Sequence, residues 1–241
     1  MGGVRMSRFL TLVKFLIANY RRNTHLIVEW VLTAISLGVV FDPRWAPYTG
    51  ENIILGKSLL LIILGVLISF RLIKNQYNRH ISVLLNRVTR SSYYLASIVS
   101  SFIIVIFFGV VIDLYMLLAL GANPGTLFNI HFVLISSFNI LVTVSVVHLF
   151  SSYIFRDRSL KILGPIILGL GSIPDWYRVL PGKSIFKIIS YAFPPLGHNL
   201  KMIMELDLGY GRLIYLIIYM GVLITIGTKL FENRSFNDLD Y

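Results

Sequence analysis

The chain of 241 residues contains no cysteine. A disulfide framework, a zinc–thiolate site and a thiol redox centre are therefore excluded. Acidic residues are also scarce: 11 Asp and Glu stand against 22 Lys and Arg, and the formal net charge is +11. A nucleic-acid-binding protein gathers its cations on one soluble face, whereas here they fall in short runs between apolar segments. We therefore expect no nucleic-acid partner.

Apolar residues make up most of what is present. They account for 56% of the chain, and the mean hydropathy is +0.77. No soluble core of this size could hide so much apolar surface, so the composition indicates that lipid is part of the solvent. Six apolar segments, most of them long enough to cross a bilayer, predict an all-α integral membrane protein with six transmembrane helices. The predicted spans cover about His25–Phe41, Ile53–Leu72, Tyr94–Leu120, Asn129–Phe155, Leu160–Ile173 and Leu213–Phe231.

The pattern predicts a single transmembrane domain that occupies the whole of residues 1–241. We expect no separate soluble domain, because the segments between the spans are short. The predicted parts are an interfacial helix (1–23), a bundle of six spans (24–231) and a cytoplasmic tail (232–241).

The fifth span and the segment after it depart from a regular crossing. The fifth span is short for a full crossing and is interrupted by Pro165 and three glycines, so we expect it to be kinked and packed inside protein. Before the last span, Ser184–Phe193 and Leu200–Leu206 predict short external helices, which Pro194-Pro195 separates.

The N-terminal segment Ser7–Arg22 has helical periodicity without the length or apolarity of a span. Its apolar residues form one stripe and its basic and small residues lie opposite, which predicts an interfacial helix on the membrane surface. The apolar stripe consists of Phe9, Leu12, Val13, Leu16, Ile17 and Tyr20.

The placement of lysine and arginine predicts the orientation. With the N-terminus inside, about two thirds of the 22 Lys and Arg fall in cytoplasmic segments, as the positive-inside rule requires. An even number of spans returns the C-terminus to the same side. We therefore expect a multi-pass protein of the cell (cytoplasmic) membrane with both termini cytoplasmic.

The stretch Lys74–Arg90 is too regular for a plain loop. Ile81, Leu84, Leu85 and Val88 repeat at helical spacing, which predicts a short amphipathic helix on the cytoplasmic face. Two interpretations are open: the helix lies on the lipid headgroups, or it docks into a groove of a soluble partner. Polar residues take other positions of this helix: Arg79, Ser82, Asn86, Arg87 and Arg90.

The order of these elements resembles the permease subunits of ABC-2 type transporters. The local similarity is greatest over residues 82–95 (SVLLNRVTRSSYYL), which resemble the apolar pair, the basic-Ser turn and the entry into span three of that family. The polar tail Phe231–Phe236 resembles the stop after the family's last span. One feature departs from the family: Asn78-Arg79-His80 stands where an acidic residue is common early in the cytoplasmic helix.

The resemblance implies a dimer of six-span subunits, either with a second copy of this chain or as a pseudo-dimer, coupled to two copies of a separate ABC ATPase subunit. ATP and Mg²⁺ would be held by that partner, so the resemblance implies no enzyme activity, catalytic residue or cofactor in this chain. The nearest approach to a phosphate loop, Gly50–Ser58, has five residues between its glycines and is not one. The residues implied in ATPase docking are Arg79, Ile81, Leu84, Leu85, Arg87, Val88 and Arg90.

Two acidic residues lie inside predicted spans, Glu29 in the first and Asp113 in the third. A charge in lipid is costly, so we expect ion pairs, with Arg71 or Lys74 for Glu29 and with Lys57 for Asp113. A role in binding protons or a cationic substrate is the alternative. Polar residues of span four suggest helix packing or, alternatively, a substrate path: Ser136, Ser137, Asn139, Thr143 and Ser145.

Three classes of function remain open from the residues alone. The first is an exporter permease that expels a hydrophobic or amphipathic substrate, such as a peptide, a drug or a lipid. The second is a stand-alone multi-span transporter or channel that is not coupled to an ATPase. The third is an intramembrane enzyme or assembly factor, for which no catalytic pattern is present; the scattered histidines also predict no metal site. For a dimeric permease, we expect the path at the two-fold interface, with glycine-containing spans two and five as its walls.

Overall fold

A computed structural model describes residues 2–22, 25–40, 50–76, 88–151, 154, 158–173, 193–205 and 210–233. Every regular element in those ranges is helical, as the sequence predicts. In chain order the helices are α1 (Gly2–Arg22), α2 (His25–Val40), α3 (Gly50–Gln76), α4 (Arg90–Leu120), α5 (Pro124–Leu127), α6 (Ile130–Leu149), α7 (Arg158–Ser172), α8 (Leu196–Glu205) and α9 (Tyr210–Asn233).

Four helices are long and apolar enough to cross a membrane. They contain Ile54–Ile73 of α3, all of α4, all of α6 and Leu213–Asn233 of α9. The protein is therefore a multi-pass helical membrane protein with four candidate spans among its described residues. α2 and α7, at the first and fifth predicted spans, have shorter apolar stretches, Leu26–Val39 and Ile162–Ser172.

Helix ends differ from the predictions where capping residues act. Thr89 is the N-cap of α4, with an extended backbone and a side chain that accepts from the Ser92 N–H, so Arg90 begins α4 instead of ending the cytoplasmic helix. α4 ends at Leu120, as predicted, and its C-cap Gly121 has a left-handed φ of 61°. α6 ends at Leu149, six residues before the predicted Phe155; the Ser151 hydroxyl and N–H both donate to the His148 carbonyl, at 2.6 and 3.3 Å, and so close its last turn.

α8 begins at Leu196, four residues earlier than the sequence predicts. Its first turn forms directly after the prolines, because the Pro195 carbonyl accepts from the Asn199 N–H at 2.9 Å. Of the two predicted external helices, the other, 184–193, lies outside the described residues except for Phe193.

Contacts near the helix ends establish the relative directions of the helices. Lys57, near the start of α3, contacts Asp113, near the end of α4, so these helices are antiparallel. Ser58 contacts Ser136, near the start of α6, so α3 and α6 are parallel. The Tyr94 ring, near the start of α4, lies 5.6 Å from that of Phe231, near the end of α9. Where α4 begins is therefore also where α3, α6 and α9 end; we name it the Arg90 end and the opposite one the Leu120 end.

α4 lies at the centre of the bundle, between α1, α3, α6 and α9. Phe108 and Val105 on its middle turns are fully buried. α3 packs closely on both α4 and α6, since Gly109 faces Leu61 and Gly65 faces Thr143. Of the four candidate spans, α9 is the least buried. Its exposed apolar side chains are Ile214, Ile217, Ile218, Val222, Ile226 and Leu230.

The apolar stripe predicted for the N-terminal helix exists, but its surroundings differ from those expected. Leu12, Val13 and Leu16 of α1 are buried against α4 instead of lying in lipid. The Ser100 hydroxyl of α4 donates to the Val13 carbonyl at 3.5 Å. The periodicity predicts which face of the helix is apolar. It does not distinguish lipid from protein, because an apolar helix face packs on an apolar protein surface as readily as it enters lipid.

The glycines of spans two and five make their close approaches within this chain. Gly164 of α7 faces the Phe150 side chain, and Gly171 faces the backbone of Pro194. Gly65 of α3 likewise packs against Thr143 of α6. Close packing between helices of this chain therefore accounts for the glycine at all three positions. Nothing lies within 4 Å of the Cβ position of Gly169.

Candidate functional site

Two ion pairs hold the charged residues that the sequence places inside the membrane. Arg71 Nη1 lies 2.5 Å from Glu29 Oε1, and Lys57 Nζ lies 2.5 Å from Asp113 Oδ1. Both expected pairings are confirmed, with Arg71 as the partner of Glu29. Both cations belong to α3, fourteen positions apart, which corresponds to about 21 Å along the helix. α3 is thus tied to α2 near the Arg90 end and to α4 towards the Leu120 end.

The Glu29 pair also involves α1. The Glu29 side chain is fully buried, and its second oxygen, Oε2, has no hydrogen-bond partner in the described part of the chain. Burial raises the pKa of the Tyr20 hydroxyl well above its ordinary value, and the neighbouring Glu29 carboxylate raises it further. Tyr20 therefore stays neutral beside the carboxylate, and its hydroxyl makes no hydrogen bond within the described residues. This contact group of Tyr20, Glu29 and Arg71 joins α1, α2 and α3.

A second set of polar contacts joins helices in the half of the bundle towards the Leu120 end. The Ser58 and Ser136 hydroxyls lie 3.2 Å apart between α3 and α6. Asn199 of α8 donates to Asn139 Oδ1 at 2.6 Å, and both side chains are buried. Asn139 is at the middle of α6, so α8 enters the bundle to about half the depth of that helix.

The polar residues predicted on span four therefore separate into different roles. Ser136 and Asn139 bond neighbouring helices, as the packing interpretation expects. Thr143 instead bonds the Asn139 carbonyl of its own helix at 2.7 Å. Ser145 is buried, and its hydroxyl makes no hydrogen bond within the described residues.

A cluster near the Arg90 end was not predicted from the sequence. The Tyr94 and His148 rings meet edge to face with centroids 6.4 Å apart, and the Phe231 ring lies tilted against the same tyrosine at 5.6 Å. Tyr94 Oη and His148 Nε2 are buried without a partner among the described residues, as is the hydroxyl of Ser101. Buried polar atoms of this kind are ordinarily satisfied by ordered water. The available signal was Tyr94, Ser97 and Ser101 at helical spacing on one face of α4.

The predicted docking residues fall mostly outside the described residues: Arg79, Ile81, Leu84, Leu85 and Arg87. Val88 is half-buried and packs against the core. Arg90 donates from Nη1 to the Glu232 carbonyl at 2.9 Å and so caps the C-terminal end of α9, a favourable position for a cation. Docking by any of these residues stays a prediction.

The described part of the chain contains no group of three His, Cys, Asp or Glu residues that could hold a metal ion. Comparison of the sequence with protein-family models and with characterised proteins finds no match. The functional interpretation therefore depends on the helix arrangement and on the contacts described above.

Proposed function

We propose that this chain is the transmembrane permease subunit of an ABC exporter of the ABC-2 type. The supporting observation is the order of elements: an amphipathic helix packed on the bundle, two apolar helices, the residues 77–87 with their amphipathic pattern, further apolar helices, and a short buried helix before the last one. The last of these elements, α8, is held in the bundle through Asn199. It occupies the place in the chain, before the last helix, at which the resemblance implies an external hairpin.

The proposal includes six crossings, with α2 and α7 as short ones. α6 ends and α9 begins at opposite ends of the bundle, so the chain must return between them. Gly164, near the middle of α7, faces Phe150 just after α6, and Gly171, near the end of α7, approaches Pro194 just before α8; these contacts support α7 as the returning segment. Its 15 residues reach about 22 Å, less than the hydrocarbon thickness of about 30 Å, so local thinning of the bilayer accompanies it.

In the proposed orientation the Arg90 end faces the cytoplasm and both termini are cytoplasmic. The Lys and Arg distribution of the sequence supports this orientation. The end of α3 and the start of α4, which flank residues 77–87 in the chain, then face the cytoplasm, where a separate ATPase docks. ATP-driven closure of two ATPase subunits moves two copies of this chain, and the substrate is a hydrophobic or amphipathic molecule that passes between them.

The decisive experiment is capture of the ATPase from native membranes. Tagged chain, crosslinked in its own cells, should retain a subunit with nucleotide-binding loops. Leu85→Asp should weaken this retention by about one to two orders of magnitude, since burial of one leucine contributes about 1.5–3 kcal/mol. Leu118→Asp is the matched control, because Leu118 is exposed near the Leu120 end. Failure of the unmodified chain to retain any ATPase contradicts the proposal.

The second candidate is a stand-alone transporter or channel, for which Glu29 and Asp113 are the charged groups inside the bundle, each held in an ion pair. Such a protein needs no nucleotide. Substrate flux by the purified chain in vesicles without an ATPase would support it, whereas flux that requires ATP and the captured subunit supports the exporter.

A further inference from the structure

The outward face of α1 is basic and contains no compensating acid. The helix Gly2–Arg22 has no Asp or Glu. With its apolar stripe packed on α4, the side chains left at the surface include four cations. These are Arg8, Lys14, Arg21 and Arg22, all exposed.

Large apolar side chains lie among these cations. Met6, Leu10 and Phe15 are 63%, 50% and 44% exposed. By helical geometry, Arg8, Phe15 and Arg22 share one flank of the exposed face, while Leu10, Lys14 and Arg21 share the other. Cations interleaved with apolar side chains match a lipid surface, where phosphates and acyl chains meet, better than they match water.

The contacts of the buried face hold α1 at a definite level of the bundle. Ser100, which bonds the Val13 carbonyl, lies ten residues after Arg90, or about 15 Å along a helix of about 46 Å. Tyr20 lies beside the Glu29–Arg71 pair, also near the Arg90 end. α1 therefore lies towards one membrane surface and not at the middle of the bilayer.

We propose that the outward face of α1 binds the phosphate groups of anionic phospholipids at this membrane surface. The guanidinium groups of Arg8, Arg21 and Arg22 suit phosphate oxygens in a bidentate geometry, and the exposed apolar side chains enter the adjoining acyl region. This lipid binding does not depend on coupling to an ATPase or on which end of the bundle faces the cytoplasm.

The test is lipid binding by the full chain alone, measured by native mass spectrometry during titration with phosphatidylglycerol or phosphatidylcholine. The unmodified chain should bind phosphatidylglycerol at least tenfold more tightly. The triple variant Arg8→Gln/Lys14→Gln/Arg21→Gln should lose up to about 100-fold in affinity for phosphatidylglycerol, since each surface cation contributes about fivefold. Its affinity for phosphatidylcholine should be unchanged. The changed residues are exposed, and an unchanged melting temperature in detergent verifies folding.

The matched control is Arg178→Gln/Lys183→Gln/Lys187→Gln, which removes the same charge from another part of the chain. It should retain the preference for phosphatidylglycerol. A second variant, Leu10→Ser/Phe15→Ser, should lower the affinity for both lipids to the same extent. Excess inorganic phosphate should not displace bound phosphatidylglycerol. Three results would overturn the proposal. They are an equal loss of affinity for phosphatidylglycerol in both charge variants, displacement of the lipid by phosphate, and an unmodified chain that shows no preference for phosphatidylglycerol.

Discussion

Arg71 on α3 holds the buried carboxylate of Glu29 on α2 at 2.5 Å, and this pair joins two helices near the Arg90 end. The arginine is about a quarter exposed, whereas the glutamate is fully enclosed. The two partners therefore differ in what their removal leaves behind. Loss of the cation leaves an uncompensated buried charge, while loss of the carboxylate leaves a cation that can reach the membrane surface.

We predict that Arg71→Met lowers the free energy of unfolding by about 3–5 kcal/mol, because the Glu29 carboxylate stays buried without its cation. Glu29→Gln should cost less, and the double variant should cost less than the sum of the two. Denaturant unfolding in mixed micelles measures all three. Additive effects within about 0.5 kcal/mol would show that the residues are not coupled.

Gly227 is predicted to tolerate no side chain. A Cβ at this position would overlap the Tyr94 hydroxyl and ring, so Gly227→Ala should destabilise the protein by about 1–3 kcal/mol. Gly221→Ala, on the same helix with nothing within 4 Å, should be neutral or stabilising by up to about 1 kcal/mol. Tyr94→Phe should restore part of the loss, because it removes the overlapping hydroxyl. Thermal unfolding compares these variants, and equal melting temperatures for the two alanine variants would refute the close approach.

The contact between Asn139 and Asn199 predicts that α8 is crosslinked readily to α6. Because the chain has no cysteine, Asn139→Cys/Asn199→Cys introduces the only thiols. A short bifunctional methanethiosulfonate should join them, detected as a single fragment after proteolysis between the two helices. Asn139→Cys/Lys229→Cys is the control, because Lys229 lies near the Arg90 end; crosslinking there to the same extent would mean that α8 is not held in the bundle.

Topology is tested by thiol labelling in intact cells. Lys201 is exposed on α8, so Lys201→Cys should react with an impermeant maleimide from outside. Lys183→Cys should react in the same way, since the segment between spans five and six is predicted to be external. Arg21→Cys should be labelled only after permeabilisation; the reverse pattern would invert the proposed orientation.

Several features could be predicted from the sequence because a single physical cost determines them. Charges in lipid need partners, so the sequence predicts Lys57 for Asp113 and either Arg71 or Lys74 for Glu29, between which the geometry selects Arg71. In lipid, the backbone groups of an apolar run must form their hydrogen bonds within the same segment. Long apolar runs therefore predict helices close to where the helices form. The boundaries at Arg90, Leu149 and Leu196 depend on single caps and turn contacts, which periodicity does not detect.

The sequence by itself determined that this is a helical membrane protein, that its intramembrane charges are paired, and that its N-terminal helix has one apolar stripe. Only the tertiary structure decided that this stripe packs on α4, that Asn199 brings α8 to the middle of α6, and that Tyr94, His148 and Gly227 meet near the Arg90 end. The reason is that lipid and protein interior are both apolar. A hydrophobic pattern therefore identifies which face avoids water, while the choice between lipid and another helix depends on the shapes that meet across the bundle.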